Sequence, residues 1–360
     1  MKNVLLILVG GTICTANENN VLSITKDSGA VIRDNYLRSD SACVGKVNID
    51  LSENLLTLSE NMTVDKWNLI IDLYRKTVIK GKYDGVIFAH GTDSLAYSSS
   101  LFSFLLADTD VPVFFISANE NLSSERSNGN ANFACAVECI CYGISPNVYV
   151  PYKNLSDGKM YLHLGSRLEQ CKNYSEDFYS VGAVWVEDHS EKAYKNAFAL
   201  IDEKYPQSGK NPMVGLYNCK NLEDCVLMLE PYVGLRYDCF DYAKFRAVLH
   251  GTYHSGTACA EKSRWYADYG RNSLLYMLDE CAEKSKDTDI YLSPSRLEGE
   301  VYETLPIIAN HGKAEKRLSF LYGQTKEASY AKLVIAYSVF ADKEDIKRIL
   351  DTNINFENIH

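Results

Sequence analysis

Val4-Leu5-Leu6-Ile7-Leu8-Val9-Gly10-Gly11-Thr12 is the stretch that decides the fold. Six aliphatic residues in unbroken succession suit a strand buried on both faces, which is the position of a central strand in a parallel sheet. Two glycines then end the run and leave room for a ligand to approach the backbone, with the Thr12 hydroxyl at the strand's carboxyl end. The Met1-Lys2-Asn3 start resembles a secretory leader only superficially: its apolar run is short and leads into Gly-Gly-Thr without a small-residue cleavage site. A polar stretch follows from Thr15 to Asn20 and reads as a mobile loop.

The same grammar recurs downstream. An amphipathic pattern from about Val64 to Lys80 predicts a helix stopped by Gly81, and Gly85-Val86-Ile87-Phe88-Ala89 predicts a second buried strand ending at His90-Gly91. Val111 to Ile116 predicts a third. Alternating strands and helices require a parallel sheet covered on both faces, and ligands in such sheets bind beyond the carboxyl ends of the strands. Thr12, Thr92 and Ala118 all fall there.

Few strand signals occur between Asn173 and Asn211, and Pro206-Gln207-Ser208-Gly209-Lys210-Asn211-Pro212 reads as a linker. The expected organisation is therefore α/β throughout: a larger N-terminal domain over 1–205 with a parallel-type sheet flanked by helices, a linker over 206–212, and a smaller α/β domain over 213–360. In the second domain Met213 to Tyr217, Ala247 to His250 and Asp289 to Leu292 are expected as strands. Leu222 to Leu229, Lys326 to Tyr337 and Lys343 to Leu350 are expected as helices.

Composition narrows the function. Of 360 residues, 37 are Lys or Arg and 47 are Asp or Glu, a net charge of −10, which argues against a binder of nucleic-acid backbones. No apolar stretch approaches the roughly 20 residues that cross a bilayer, so neither a nucleic-acid nor a membrane partner is expected. Eleven cysteines, an odd number without a regular framework, suit a reduced cytoplasmic setting. Cys135, Cys139 and Cys141 come nearest to a metal pattern, but their apolar helical context reads as core, and His250 and His254 lack zinc-ligand spacing. No metal or cofactor is expected.

His90-Gly91-Thr92-Asp93-Ser94 places a second hydroxyl and a carboxylate where a strand ends and a helix begins. Such a helix start suits an anion or oxyanion; alternatively, Thr92 or Asp93 simply caps the helix. Gly10-Gly11-Thr12 alone has an equally plain reading as a turn. No Gly-x-Gly-x-x-Gly and no Gly-Lys-Ser/Thr accompanies either motif.

Taken together, the two motifs resemble the signatures of the bacterial-type L-asparaginase family, amidohydrolases that use Thr as nucleophile. Gly10-Gly11-Thr12-Ile13 is similar to the first signature and His90-Gly91-Thr92-Asp93-Ser94 to the second, with Ser94 where Thr is usual. Leu58-Ser59-Glu60-Asn61-Met62 resembles the segment whose Ser binds the substrate's α-carboxylate. Ser117-Ala118, Gly129-Asn130-Ala131-Asn132 and Gly323-Gln324-Thr325-Lys326-Glu327-Ala328 extend the likeness over nearly the whole chain. The resemblance implies Thr12 as nucleophile, Thr92 as second catalytic hydroxyl paired with Asp93, Ser59 and Asp93 as holders of the amino-acid ends, and the Ala118 carbonyl as partner of the side-chain amide. It also implies a cofactor-free hydrolase of a small amino-acid amide. A loop near Gly251 to Thr257 would complete a neighbouring subunit's site in a homodimer or homotetramer.

Three positions depart from the family pattern. No Tyr occurs between Ile13 and Asn35, where the family carries one bonded to the first Thr; Thr25 or Lys26 are the substitutes within reach of the loop. The family's catalytic Lys aligns, through Asp157-Gly158, with His163, which is either a buried structural histidine or the base that accepts the Thr92 proton. Glu120 stands where the family has a basic residue. Two functions remain in competition: an asparagine, glutamine or small-amide hydrolase, and a ligand-binding or regulatory relative without turnover. A tRNA-dependent amidotransferase relative would carry a further domain before the first signature, and with nine residues before Gly10 that reading is set aside.

Overall fold

The aliphatic run at the start of the chain forms β1 (Lys2–Leu8), with Val4 to Val9 buried. The chain is described by a computed structural model over residues 1–19, 21–52, 54–261, 270–295, 300–312 and 317–359. It divides into two units, one comprising Met1–Leu222 with Asn353–Phe356, the other Glu223–Thr352 with Glu357–His360.

In the first unit β1 is followed by a hairpin of β2 (Thr15–Glu18) and β3 (Val21–Ile24), then α1 (Ser28–Leu37), β4 (Val47–Leu51), α2 (Val64–Thr77), β5 (Gly85–Ala89) and α3 (Leu95–Leu105). Next come β6 (Val113–Ile116), α4 (Gly129–Tyr142), β7 (Val148–Lys153), β8 (Met160–Leu164), β9 (Val184–Val186) and α5 (Glu191–Lys204). The main sheet runs β4-β1-β5-β6-β7-β8-β9. Pairings from β4 to β7 are parallel, whereas β7-β8 and β8-β9 are antiparallel. Every residue of β5 and β6 is buried, as expected of central parallel strands.

Local signals set several boundaries. Thr63 caps α2, its hydroxyl accepting from the Lys66 N–H, and Arg75 and Lys76 lie in the last turn, where cations favour the helix dipole. Gly143, at φ 79°, ends α4 in the left-handed conformation that glycine adopts without strain.

The second unit contains β10 (Val226–Leu229), β11 (Ala247–His250), α6 (Leu274–Lys284), β12 (Asp289–Ser295), α7 (Thr304–Ala309), β13 (Leu318–Tyr322), α8 (Lys326–Val339) and α9 (Lys343–Asp351). Its four described strands form a parallel sheet in chain order. At its C-terminal end Lys332 and Glu357, both fully buried, form an ion pair at 2.7 Å. The Lys332 ammonium also donates to the Leu350 and Thr352 carbonyls, which satisfies the buried charge.

The architecture corrects several expectations. Thr15 to Glu18 is a hairpin strand, not a mobile loop, because Thr15 through Glu18 pair antiparallel with Ile24 through Val21; Asn20 lies outside the described residues. Residues 206–212 are fastened to the first unit: Lys210 Nζ donates to the Pro146 carbonyl, and Asn211 donates from N to Ile354 O and from Nδ2 to Asn353 O. The division between units falls instead at Leu222/Glu223. Met213 to Tyr217 forms no strand, and Leu216 donates to the Leu105 carbonyl at the end of α3. Val226 to Leu229 is a strand where a helix was expected. Four apolar residues fit either period, and the pairing of Leu227 with Val248 in β11 settles it.

Candidate active site

Thr12, Ser59, Thr92 and Ala118 are carried on segments that follow or flank the adjacent strands β1, β5 and β6. The turns at Gly11 and Gly91 touch so closely that a Cβ on Gly11 would stand 2.1 Å from the Gly91 Cα. Gly11 also holds φ 77°, so both space and conformation require glycine there. The third segment is stitched to the first: Gly11 N donates to Thr57 O at 3.1 Å and Thr57 N to Val9 O at 2.8 Å. Lys66 on α2 closes it from the other side, donating from Nζ to Thr57 Oγ1 and to the Asn61 carbonyl, each at 2.7 Å.

Ser59 is buried, and its hydroxyl donates to Asp93 Oδ2 at 2.9 Å. Asp93 N donates back to Ser59 Oγ at 3.3 Å, and Ser94 Oγ donates to Ser59 O at 2.8 Å. The carboxylate of Asp93 thus faces Ser59 instead of capping α3, whose N-cap Ser94 makes no side-chain capping bond. Thr12 and Thr92 are both partly exposed, as residues that meet a ligand must be. Thr15 Oγ1 donates to Thr12 O at 2.8 Å and steadies the first turn.

Ala118, fully buried, follows β6. Its loop is locked by a reciprocal pair: Asn119 N donates to Asn128 Oδ1 at 3.0 Å, and Asn128 N donates to Asn119 Oδ1 at 2.9 Å. Glu120 pairs with Arg126 at 3.3 Å within the same loop.

His163 is not among these residues. It lies on β8, in register with Val150 of β7, so β6 and β7 intervene between its strand and β5. Three strand spacings amount to about 14 Å. Its Nδ1 is 2.8 Å from Ser180 Oγ, and burial pushes its pKa down to about 3. The ring's described partner is therefore Ser180, and the role of His163 as acceptor of the Thr92 proton stays a proposal for the pH profile of ammonia release to decide.

Among the described residues Gln170, which the sequence alone did not single out, reaches the Thr92 backbone. Its Nε2 donates to Thr92 O at 2.7 Å and its Oε1 accepts from Ala96 N at 3.4 Å. The cause is the small-residue face of α3. Ser99 and Ser100 hydroxyls donate to the Gly165 carbonyl, and a Cβ on Gly165 would lie 2.6 Å from Ser103 Oγ. That close approach delivers the chain after Gly165 to the N-terminal end of α3. The run Ser98-Ser99-Ser100 was the available signal.

His90, beneath the second turn, is fully buried, and burial lowers its pKa to about 4. Its Nδ1 lies 2.8 Å from Gly91 O, so the neutral ring donates there. Thr25 and Lys26 follow β3; Thr25 N donates to Cys14 O at 3.0 Å, fastening the hairpin beside the first turn. Cys135 and Cys139 are buried in α4, where burial raises the Cys139 thiol. In the second unit His250 Nε2 lies 2.8 Å from Tyr237 OH, and Tyr253 N donates to Thr257 O in the Gly251–Thr257 turn. Among the described residues no three His, Cys, Asp or Glu side chains gather as a metal site, and no helix is long and apolar enough to cross a membrane.

Parallel strands that bring two threonines, a serine and an aspartate to one carboxyl edge, with helices between them, define a protein of the α/β class. Comparison with known proteins places it further: the model of the asparaginase N-terminal domain matches residues 3–182, half of the chain, and the chain belongs to the asparaginase family. It is similar to the thermostable L-asparaginase from Thermococcus kodakarensis, with a TM-score of 0.72 and 20% identity over 99% of both chains. L-asparaginase I from Vibrio cholerae superposes with a TM-score of 0.67 at 19% identity, covering 100% of this chain and 99% of that one. Among curated sequences, a glutamyl-tRNA(Gln) amidotransferase subunit of Halobacterium salinarum is 29% identical over 184 residues, 51% of this chain and 42% of the relative. The chain spans about half the length of the curated relatives it matches.

Proposed function

We propose that this protein hydrolyses the side-chain amide of L-asparagine to L-aspartate and ammonia. The observation that carries this reading is the joining of the Thr12 and Thr92 turns through Gly11 and Gly91, beside the Ser59–Asp93 pair.

In this reading the Thr12 hydroxyl attacks the amide carbon. A carbon–oxygen bond forms, the carbon–nitrogen bond breaks, and ammonia leaves with the proton lost by the hydroxyl. Water then cleaves the acyl-Thr12 ester, releasing aspartate and restoring the hydroxyl. Asp93 receives the α-ammonium and Ser59 the α-carboxylate, each exchanging part of their mutual hydrogen bond for one to the ligand. The Ala118 carbonyl accepts from the substrate amide N–H, and Thr92 supplies the second hydroxyl. Fixing a small zwitterion at both ends is what converts an unreactive amide into a positioned one. Glutamine or another small amide is the competing substrate. A cytoplasmic homodimer or homotetramer is the proposed setting, which light scattering of the purified protein tests for subunit number.

A second reading, a ligand-binding relative without turnover, has two departures of sequence in its favour: no Tyr occurs between Ile13 and Asn35, and His163 stands at the position of the family's Lys. Ammonia release from asparagine and glutamine, measured alongside thermal stabilisation by aspartate, separates the two. Release supports the hydrolase; stabilisation without release supports the binding protein.

A further inference from the structure

We infer that Gln170 is a positioning residue for the Thr92–Asp93 turn, an inference that rests on the proposed amidohydrolase reading of that turn. The carboxamide spans the junction of β5 and α3. Its NH2 group meets a carbonyl, that of Thr92 at 2.7 Å, and its oxygen meets an N–H, that of Ala96 at 3.4 Å. The two partners fix which end of the amide points where, since a reversed amide would set N–H against N–H and oxygen against oxygen.

The Thr92 carbonyl also accepts from the Leu95 N–H within the turn, and the turn's other ties run to Ser59 and to the Gly11 turn. The 3-10 turn at Thr92–Ser94 has no side-chain cap, and neither does α3. Ser59 and Ser94 tie the turn to the 57–61 segment, which a ligand would disturb when it takes over part of the Ser59–Asp93 bond. Gln170 holds the turn through the Thr92 backbone carbonyl and the Ala96 N–H, not through the Ser59–Asp93 pair. Its own support is independent of the ligand: Glu169 N donates to Tyr179 O at 3.0 Å, and Gly165 is seated on α3. Gln170 carries no titrating proton, so it orients Thr92 without acting as its base.

Two variants read the clamp. Gln170→Met keeps the length of the side chain and removes both hydrogen bonds; Gln170→Lys keeps a donor for the Thr92 carbonyl. For ammonia release from asparagine, Gln170→Met should lower kcat/KM roughly ten- to hundredfold, the cost typical of a reacting group displaced by a fraction of its contact distance. Gln170→Lys should recover to within about threefold of wild type, while both variants melt close to wild type. A merely structural glutamine would not show this split. Wild-type turnover in Gln170→Met, or equal impairment in Gln170→Lys, overturns the assignment and leaves the hydrolase reading intact. Should the wild-type protein release no ammonia from asparagine or glutamine, the hydrolase reading fails. The clamp is then decided by aspartate affinity in titration calorimetry: the same ratios support it, while unchanged affinity in Gln170→Met, or no binding of aspartate by wild type, overturns it.

Discussion

Gly11 and Gly91 meet backbone to backbone: a Cβ on the first would come within 2.1 Å of the Cα of the second, and one on the second within 2.3 Å of Ser59 Oγ. The contact that joins the two threonine turns therefore admits no side chain on either partner.

Alanine at these glycines should fail in different ways. Gly11→Ala faces both a clash with backbone and a φ of 77°, and should cost at least about 3 kcal/mol of stability, read from the shift of the urea midpoint. Gly91 has an ordinary φ of −89°, so Gly91→Ala chiefly displaces Ser59 and should weaken aspartate binding more than it lowers stability. Equal stability losses in both variants would contradict this account.

Thr12→Ala and Thr92→Ala should each reduce ammonia release by orders of magnitude while leaving the melting temperature nearly unchanged. Each removes a partly exposed hydroxyl needed in the transition state and little packing. Turnover at the wild-type rate in both would defeat the proposed mechanism.

Asp93→Asn should weaken aspartate binding by roughly 1.5–3 kcal/mol, the worth of a charge-assisted hydrogen bond to an ammonium. Titration calorimetry measures it. Because the carboxamide oxygen of the variant could still accept from the Ser59 hydroxyl, the loss would report the missing charge and not a collapsed turn.

His163 should shape acid stability instead of activity. Burial holds its folded-state pKa near 3 against about 6.5 in a free chain. Its contribution is complete above pH 6.5; below that the unfolded chain binds a proton the folded one refuses, so stability falls towards pH 3. The slope is about 1.4 kcal/mol per pH unit. His90, lowered by burial to about 4, acts in the same direction. His189, raised by its bond to Glu138, acts in the opposite one, gaining stability as pH falls through its folded pKa towards the free value. Urea melts at pH 6 and 5 should therefore show His163→Gln losing that much less stability per unit than wild type. The pH profile of ammonia release should keep its shape in the variant; loss of an acid limb would identify His163 as the base.

Sequence by itself determined β1, β5 and β6 and the residues at their carboxyl ends, because short unbroken apolar runs suit strands buried on both faces of a parallel sheet. It likewise fixed α8 and α9 nearly to the residue, and marked Thr12, Ser59, Thr92 and Asp93 as a set. Tertiary structure decided what local pattern leaves open. Val226 to Leu229 became a strand through its pairing with β11, and Thr15 to Glu18 paired across a hairpin although its polar residues carry no strand signal. The meeting of Gln170 with the Thr92 backbone has the same origin. Counting from Asp157-Gly158 assigns a position along the chain, but proximity to Thr92 depends on the antiparallel return through β8 and on the serines of α3 that admit Gly165. Those contacts join residues some 65 positions apart, a separation over which only packing, and no local propensity, specifies what meets.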